Sequence, residues 1–202
     1  RAFTNPLPLL HPCSMNVLVW FKRDLRVADH PALALAAGMG AVLPVYIVEP
    51  EYWALPDTSS RQWAFAEDCL TDLRGALGDL GAPLVVRVGD AVELLGKLCR
   101  AHRISRIISH EETGNGFTYA RDLKVGSWCR QHGVIWQEFP QFGVVRRLKS
   151  RNLWQSAWEQ HMAEPVHELP PITFWQPPVA PFAMAAPAHL LHNPALRQRG
   201  GR

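Results

Sequence analysis

Charged side chains follow two of the predicted β-strands at the points where those strands end. The first strand is followed by Lys22, Arg23, Asp24 and Arg26, and the fourth by His110, Glu111, Glu112 and Thr113. Six of these eight side chains carry a formal charge, which suits a polar, partly anionic heterocycle held by ion pairs and hydrogen bonds. The candidate cofactor-binding residues are therefore Lys22, Arg23, Asp24, Arg26, Glu111 and Glu112. The alternative is that Asp24 and Arg26 pair with each other, or with the two glutamates, and tie the loops to the sheet.

Motifs for other kinds of chemistry do not occur in the sequence. No GxGxxG follows the first strand and there is no GxxxxGK[ST], which leaves ordinary dinucleotide and P-loop binding unsupported. There is no HExxH and no close cluster of histidine and cysteine, so no metal site is predicted and no residue is assigned a catalytic role. The cysteines form no CxxC pair and are interpreted as packing residues of a cytoplasmic protein: Cys13, Cys69, Cys99 and Cys129.

Length and composition indicate a globular chain of one large or two small domains. The 202 residues are 48% hydrophobic and 19% charged, and no stretch reaches the roughly 20 consecutive apolar residues that a membrane span needs. The net charge of +3 is too small to indicate a nucleic-acid surface by itself. One basic cluster contains Arg146, Arg147, Lys149 and Arg151. We interpret it as a solvated face or a docking site for another domain, with a contact to nucleic-acid phosphates as the alternative.

Five short runs rich in β-branched and aromatic residues alternate with helical patterns. The runs are NVLVWF from residue 16, AVLPVYIV from 41, LVVRV from 84, RIISH from 106 and VIWQEF from 134. Strands that are apolar on both faces and alternate with helices form parallel sheets covered on both sides. The expected fold class is therefore α/β, a doubly wound five-stranded parallel sheet in a Rossmann-like three-layer sandwich. With the strand order 3-2-1-4-5, the switch point lies between the first and fourth strands, where the charged residues gather.

Capping signals set the helix boundaries between these strands. Helix starts are predicted at Asp29 with Pro31, Ser59 with Gln62, Asp90 with Glu93, and about Thr118; helix ends are predicted at Gly38, at Gly81 with Pro83, and at about His132. One residue conflicts with the strand pattern, because Pro44 cannot donate to a central ladder. Pairing of the second strand is therefore expected to begin at Val45.

The residues after the first strand also carry a family resemblance. The stretch Trp20-Phe21-Lys22-Arg23-Asp24-Leu25-Arg26, followed by Asp29-His30-Pro31-Ala32-Leu33, resembles the opening signature of the DNA photolyase and cryptochrome family. His30 stands where that family usually has asparagine. The resemblance continues through Pro44-Val45-Tyr46-Ile47, Glu49-Pro50, Ser60-Arg61-Gln62, Ala120-Arg121-Asp122 and Gly200-Gly201-Arg202. It covers nearly everything from Met15 onward, and the chain resembles the N-terminal α/β, or antenna, domain of that family.

This resemblance implies a function and a set of cofactors. In some photolyases and cryptochromes the N-terminal domain carries a light-harvesting antenna chromophore, which is a folate, a deazaflavin or a flavin, near these strand ends. The acid that folate-binding members place just before the fourth helix is absent, since Phe117, Thr118 and Tyr119 occupy that stretch. A deazaflavin, a flavin or an empty pocket is therefore implied ahead of a folate. In the intact protein, expected to be a monomer, FAD in a separate helical domain would drive the splitting of pyrimidine dimers in DNA.

Three segments are expected along the chain. Residues 1–14 are interpreted as a disordered leader ahead of a natural start at Met15, and residues 15–150 as the α/β domain. Residues 151–202 are expected to form a helical turn and a proline-rich connector to the FAD-binding helical domain, which this sequence lacks. Deoxyribodipyrimidine photolyase activity is thus implied for the intact protein and not for this chain alone. Of the tryptophans, Trp20, Trp63, Trp128 and Trp136 are interpreted as core residues, and Trp154, Trp158 and Trp175 as covering a contact between domains.

Two alternative functions are open on the sequence. A cryptochrome-type blue-light photoreceptor shares the same domain, and the residues that distinguish it from a photolyase lie in the helical domain. A stand-alone nucleotide-binding module of the universal-stress or electron-transfer-flavoprotein kind shares the five-stranded topology. Such modules usually carry a glycine-rich phosphate loop late in the chain, whereas residues 143–151 contain a single glycine. The sequence therefore favours the photolyase-like interpretation over this module.

Overall fold

A five-stranded parallel sheet forms the centre of the molecule, in a computed structural model that describes residues 15–81, 84–146, 148–175, 186–187, 190 and 198–201. The strands are Met15–Phe21 (β1), Gly40–Val48 (β2), Val85–Val88 (β3), Ile104–His110 (β4) and Ile135–Phe139 (β5). All neighbours pair in parallel, in the order β3-β2-β1-β4-β5. The predicted α/β fold class and strand order are confirmed.

Six helices and one 3-10 turn lie in the described part of the chain. They are Pro31–Met39 (α1), Pro50–Trp53 (α2), Ser60–Asp79 (α3), Ala91–Ala101 (α4), Gly116–Gln131 (α5), the 3-10 turn Arg151–Leu153 and Trp154–Met162 (α6). The short helix α2 was not predicted. None of the described helices is long and apolar enough to cross a membrane.

The core is divided between the two faces of the sheet, as expected of a three-layer sandwich. Alternate residues of β1 point to opposite faces, so Val17, Val19 and Phe21 pack with α1 and α3, whereas Leu18 and Trp20 pack with α4 and α5. The apolar spacing of α3 gives one buried stripe, which contains Trp63, Leu70, Leu73 and Leu77. Helices α1 and α3 therefore cover one face of the sheet, and α4 and α5 cover the other.

The cap of α1 differs from the prediction. His30, not Asp29, is the N-cap, because its Nδ1 accepts a hydrogen bond of 2.9 Å from the backbone N–H of Leu33. Asp29 has φ 48°, in the left-handed region, and precedes the helix. Gly38 lies inside α1 and does not end it. An imidazole nitrogen can thus cap a helix as an asparagine side chain would, a role that the sequence pattern did not reveal.

The other capping predictions agree with the structure. Ser59 caps α3 and Asp90 caps α4, each accepting from the backbone N–H three residues later. Gly81 follows α3 with φ 113°, and Pro83 lies outside the described residues. Helix α5 begins at Gly116 rather than at about Thr118, because the Asn115 side chain accepts from the Thr118 N–H.

Pairing of the second strand was expected to begin at Val45, which is wrong for the ladder with β1 and correct for the ladder with β3. Pro44 lies within β2 and stands opposite Val19 of β1. The ladder between β2 and β3, however, begins only at Val45, opposite Val85. The missing N–H of Pro44 therefore removes no hydrogen bond from the β3 ladder.

Part of the proline-rich segment docks against the edge of β2, ahead of the point where β3 begins. The Val42 N–H donates to the carbonyl of Thr173 and the Trp175 N–H donates to the carbonyl of Val42, each at 2.9 Å. These bonds form a parallel bridge between Val42 and Phe174. The segment pairs here with edge groups of β2 that the short β3 leaves without a neighbouring strand.

The cysteines and tryptophans partly follow the predictions. Cys99 and Cys129 are buried against the sheet, and burial raises the pKa of Cys99 to about 12 and that of Cys129 to about 11. Residues 1–14, with Cys13, and the terminal Arg202 lie outside the described residues. Trp20 and Trp63 are buried, Trp128 and Trp136 pack against the core, and Trp154 and Trp158 are exposed on α6. Trp175, which was expected to cover a domain contact, is partly buried against the core of this sheet.

Candidate functional site

A cavity of about 760 Å³ lies between the carboxyl ends of β1 and β2 and the helices α2 and α3. It extends past the end of β1 to residues that follow β4, and so it includes the predicted switch point. Four predicted cofactor-binding residues line it, namely Lys22, Arg23, Arg26 and Glu112. Asp24 and Glu111 are not among its lining residues.

Aromatic side chains form much of the cavity wall. They are Trp20, Phe21, Tyr46, Tyr52, Trp53 and Phe65. Pro50 begins α2 directly after Glu49, and this short helix carries Tyr52 and Trp53 to the wall. Trp53 in turn packs edge-on against Trp63 of α3, with ring centroids 5.1 Å apart. Because Trp63 is buried against the sheet, the α2 wall is held in place by the core.

One buried arginine organises the charged side of the cavity. Arg121 of α5 contacts three carboxylates, those of Glu49 at 2.7 Å, Glu112 at 2.5 Å and Asp122 at 2.8 Å. Its guanidinium also lies 4.9 Å from the ring centre of Trp20. Burial alone would lower the pKa of Arg121, but the carboxylates outweigh it and the pKa is raised, so the side chain stays charged.

The two cavity glutamates differ in protonation although both contact Arg121. Burial raises the pKa of Glu49 to about 7, and its one arginine only partly opposes this. Burial also acts on Glu112, but Arg121 and Arg23 together hold its pKa below the usual value. Arg23 adds a 2.7 Å ion pair to Glu112. At neutral pH the cavity therefore presents one ionised carboxylate and one carboxyl group near its midpoint of titration.

A second charge network extends from the lining residue Lys22 to the ends of β4 and β5. Lys22 contacts Asp122 at 3.5 Å and Glu138 at 3.3 Å, and Arg146 contacts Glu138 at 3.2 Å and Glu111 at 3.6 Å. Arg146 is therefore engaged with carboxylates, which argues against a contact to nucleic-acid phosphates through this member of the basic cluster. Arg147, another member, lies outside the described residues.

Asp24 forms a closed polar cluster with two histidines. Its Oδ1 accepts from the Lys22 backbone N–H at 2.8 Å, and its Oδ2 lies 2.6 Å from His110 Nδ1 and 2.9 Å from His30 Nε2. Burial alone would raise the pKa of Asp24, but the two histidines outweigh it and hold the pKa well below the usual range. All three side chains are at most 1% exposed. Asp24 thus joins β1, α1 and β4, and it does not reach the cavity.

In the described part of the chain, the side chains of Asp24 and Arg26 pair neither with each other nor with the two glutamates. Asp24 binds the histidines, and Arg26 donates to the backbone carbonyls of Ala28 and Asp29 at 3.1 and 2.9 Å. Both residues do tie the loop to the fold, as that alternative supposed, but through other partners. Arg26 also lines the cavity, so for this residue the structural and the binding interpretation are compatible.

The Asp24 cluster has the spacing of a metal site but not its donor chemistry. One ligand atom from each of Asp24, His30 and His110 lies within 4.8 Å of the others. His30 Nδ1 already accepts the Leu33 N–H, so the single proton of a neutral ring is on Nε2, the atom that faces Asp24. A cation at Nε2 would require an imidazolate. We therefore interpret the cluster as a polar tie between β1, α1 and β4 rather than as a metal centre.

Arg121, Glu49 and the residues of α2 were not predicted as site residues. A signal for Arg121 was present, because the stripe of Val125 and Cys129 on α5 reaches Arg121 when it is extended back by one turn. A charged residue on the buried side of a helix needs partners of opposite charge. For Glu49 the sequence offered only the resemblance carried by Glu49-Pro50, and α2, with four residues, is too short to show a helical period.

Comparison with known proteins identifies the family. The DNA photolyase family matches residues 17–148 of this chain. The chain is 33% identical over 143 residues to a chloroplastic/mitochondrial cryptochrome DASH of Oryza sativa subsp. japonica, covering 67% of this chain and 24% of the relative. It is 40% identical over 96 residues to a deoxyribodipyrimidine photo-lyase of Salmonella typhimurium, covering 45% of this chain and 20% of the relative.

Solved structures show the same fold in larger proteins. A class III photolyase from Agrobacterium tumefaciens superposes with a TM-score of 0.64 at 22% identity, over 96% of this chain and 38% of that one. An archaeal photolyase from Sulfolobus tokodaii gives a TM-score of 0.61 at 23% identity, over 79% of this chain and 37% of that one. This chain thus spans about a quarter or less of the two curated relatives' length. The sequence match over residues 17–148 shows that the chain belongs to the DNA photolyase family, of which it has the N-terminal α/β domain.

Proposed function

We propose that this domain binds a light-harvesting chromophore, a flavin or a deazaflavin, in the cavity at the carboxyl ends of β1 and β2. The observation that carries the proposal is the cavity itself, about 760 Å³ in volume, with an aromatic wall and a charged side. The archaeal photolyase from Sulfolobus tokodaii is described with two FAD molecules and an implied novel light-harvesting cofactor. Its fold likeness to this chain supports a second chromophore site in this domain.

The lining side chains fit the parts of such a chromophore. Aromatic rings such as those of Tyr52 and Trp53 offer contacts to a planar heterocycle. Arg26 and Arg61 are lining cations suited to a phosphate group. Glu49 and Glu112 can accept hydrogen bonds from ring or ribityl donors. The proposed cofactor-binding set is therefore Lys22, Arg23, Arg26 and Glu112 from the sequence prediction, together with Glu49 and Arg61.

In the intact protein we propose the role of the accessory domain of a cytoplasmic, monomeric, light-dependent DNA repair photolyase. FAD in the helical domain would supply the light-driven electron that splits a pyrimidine dimer, and the dimer has to leave the base stack to reach it. The cavity residues would bind and orient the accessory chromophore and exclude water from it. A cryptochrome-type blue-light photoreceptor is the second candidate, favoured by the likeness to cryptochrome DASH. This chain alone is expected to have no repair activity.

A binding experiment tests the chromophore proposal. We expect the purified chain to bind FMN, and Arg26→Ala and Arg61→Ala each to weaken FMN binding about tenfold, or roughly 1.4 kcal/mol, by removing a charged hydrogen-bond donor. Riboflavin, which lacks the phosphate, should bind both variants as it binds the parent chain. Lys124→Ala, which removes an exposed cation of α5 outside the cavity, is the matched control.

Two results would overturn the proposal. One is the absence of any flavin or deazaflavin binding, measured by quenching of ligand fluorescence. The other is tight binding of ATP in place of a flavin, which would support the stand-alone nucleotide-binding module instead. A Lys124→Ala effect equal to that of Arg61→Ala would show that the cations act only through the overall charge.

A further inference from the structure

Residues 198–201, the last described part of the chain, lie against α3 and reach the cavity. Gln198 lines the cavity together with Phe65 and Cys69 of α3. The Gly200 N–H donates to Asp68 Oδ2 at 3.1 Å, and the Gly201 N–H lies 3.2 Å from Cys69 Sγ. These contacts join parts of the chain that are 132 residues apart. We refer to residues 198–201 as the strap.

The surface of α3 that receives the strap consists of two rows of side chains. Phe65 and Cys69 are one helical turn apart, and so are Asp68 and Asp72, so the four side chains share one side of α3. Phe65 is 41% exposed and Cys69 is partly buried. On this surface a carboxylate and a thiol accept from backbone N–H groups of the strap. The strap therefore lies against α3 through specific hydrogen bonds as well as apolar contact.

Two glycines are what allow the strap backbone to approach α3 so closely. A Cβ on Gly200 would collide with the carbonyl oxygen of Phe65 and would lie 2.8 Å from Cys69 Sγ. A Cβ on Gly201 would collide with the carboxylate of Asp72, and φ at this residue is +82°, which disfavours any other residue. By contrast, a Cβ on Gly78, within α3, would have no neighbour within 4 Å. The two strap glycines are therefore required for the strap to lie this close to α3.

We infer that the strap is a wall of the chromophore site, in which Gln198 is a ligand-contacting residue and Gly200 and Gly201 are positioning residues. The identity of the ligand rests on the proposed function, whereas the seating of the strap on α3 does not. Gln198 offers both a donor and an acceptor, which suits the polar edge of a heterocycle or a ribityl hydroxyl. With the glycines in place, the strap also covers the Cys69 thiol at the edge of the cavity.

The seating is tested without any ligand, through the reactivity of Cys69. We expect Gly200→Ala and Gly201→Ala each to raise the rate of N-ethylmaleimide modification of Cys69 about tenfold, the equivalent of about 1.4 kcal/mol in the open population. Mass spectrometry of the separated peptides reports Cys69 apart from the other cysteines. Gly78→Ala is the matched control in α3 and should leave the rate unchanged. Unchanged Cys69 modification in both strap variants would overturn the inference.

The wall role is tested with FMN as the probe. Gln198→Ala and the two strap-glycine variants are expected to weaken FMN binding about tenfold, with melting temperatures close to that of the parent chain. Gln198→Ala should leave Cys69 modification unchanged, because the glycines still seat the strap. Normal FMN affinity in all three variants would overturn the wall role while leaving the proposed function intact. If the parent chain binds no FMN, the proposed function fails, and Cys69 modification still decides whether the strap is seated.

Discussion

Two neighbouring residues at the end of β1 lead into two regions with opposite character. The Arg23 side chain is 47% exposed and turns toward the cavity, whereas the next side chain, Asp24, is fully buried among two histidines. Both regions lie at the carboxyl edge of the same sheet and both are built from charged and aromatic side chains. The cavity beside Arg23, which we call the open region, contains space for a ligand of flavin size. The cluster of Asp24, His30 and His110, which we call the closed region, is filled by its own side chains.

The difference lies in how completely the charges are neutralised within the fold. Asp24 is contacted by two imidazoles and one backbone N–H and is fully buried, so a ligand does not reach it. At the cavity, Arg121 is the only ion-pair partner that the described residues give Glu49, and burial raises the pKa of Glu49 to about 7. Charged residues at a switch point therefore indicate a binding site only where the fold leaves them with incomplete partners.

Removing Arg121 should have the largest effect on this contrast. Arg121→Met leaves the carboxylates of Glu49, Glu112 and Asp122 buried without their shared cation. The loss of one member of a buried ion-pair network costs about 3–5 kcal/mol. We expect a decrease of that size in the free energy of unfolding, measured by urea denaturation.

Arg130→Ala provides the control for this variant on the same helix. Arg130 is an exposed residue in the last turn of α5 and should contribute less than about 1 kcal/mol. A loss below about 1 kcal/mol for Arg121→Met would contradict the central role of Arg121, and the cavity would then be held by its aromatic wall alone.

Replacing His30 tests how much the closed region contributes to stability. His30→Ala removes the cap of α1 and a buried partner of Asp24, and we expect a loss of about 2–4 kcal/mol in the free energy of unfolding. His30→Asn keeps a side-chain cap and should recover much of this. Neither variant should change FMN affinity by more than about twofold, because His30 does not line the cavity. Equal losses for both variants would argue against the cap.

The pH dependence of the same residue has a definite sign. Burial lowers the pKa of His30 in the folded state although Asp24 opposes the change. The stability contributed by neutral His30 is therefore present above the usual pKa of histidine and is lost as the pH falls through the lowered value. We expect parent and His30→Asn chains to diverge in urea denaturation below about pH 6.5, with the parent losing more stability. Parallel pH curves would contradict this.

The sequence predicted the strands and most of the caps because these depend on local signals. Spacing and residue type alone indicate the buried apolar strands and the stripe of α3. They also indicate that Ser59 and Asp90 cap their helices. The cap of α1 was misassigned because aspartate is the commoner cap, and only the backbone shows that Asp29 has φ 48°.

The candidate site was predicted in position but not in detail. Residues that leave a strand can be located from sequence, yet successive side chains there diverge, and only the fold decided that Arg23 faces the cavity and Asp24 does not. Glu49 and Arg121 come from elements distant in sequence. Their pairing across 72 residues depends on tertiary packing that no local pattern encodes.

The titration of Glu49 tests the electrostatics of the open region. Because the pKa of Glu49 is raised in the folded state, protonated Glu49 contributes stability. This contribution is fully present below the usual pKa of glutamate and is lost as the pH rises through about 7. Glu49→Gln should remove this loss, so the variant should gain stability relative to the parent between pH 5 and 8. The gain should be on the order of 1–3 kcal/mol, since each unit of pKa corresponds to about 1.4 kcal/mol. Urea denaturation across that range measures it, and a constant difference between the two chains would contradict it.

Glu111→Gln is expected to have the smallest effect of these substitutions, and Glu112→Gln is its closest matched variant. Glu111 is partly exposed, contacts Arg146 at 3.6 Å and does not line the cavity, so Glu111→Gln should cost less than about 0.5 kcal/mol and leave FMN binding unchanged. Glu112→Gln removes a charge from the two arginines that line the cavity, and we expect it to weaken FMN binding several-fold as their positions relax. Fluorescence titration of both variants compares them directly. Because the two residues are adjacent and chemically identical, equal effects would mean that lining the cavity has no consequence for binding.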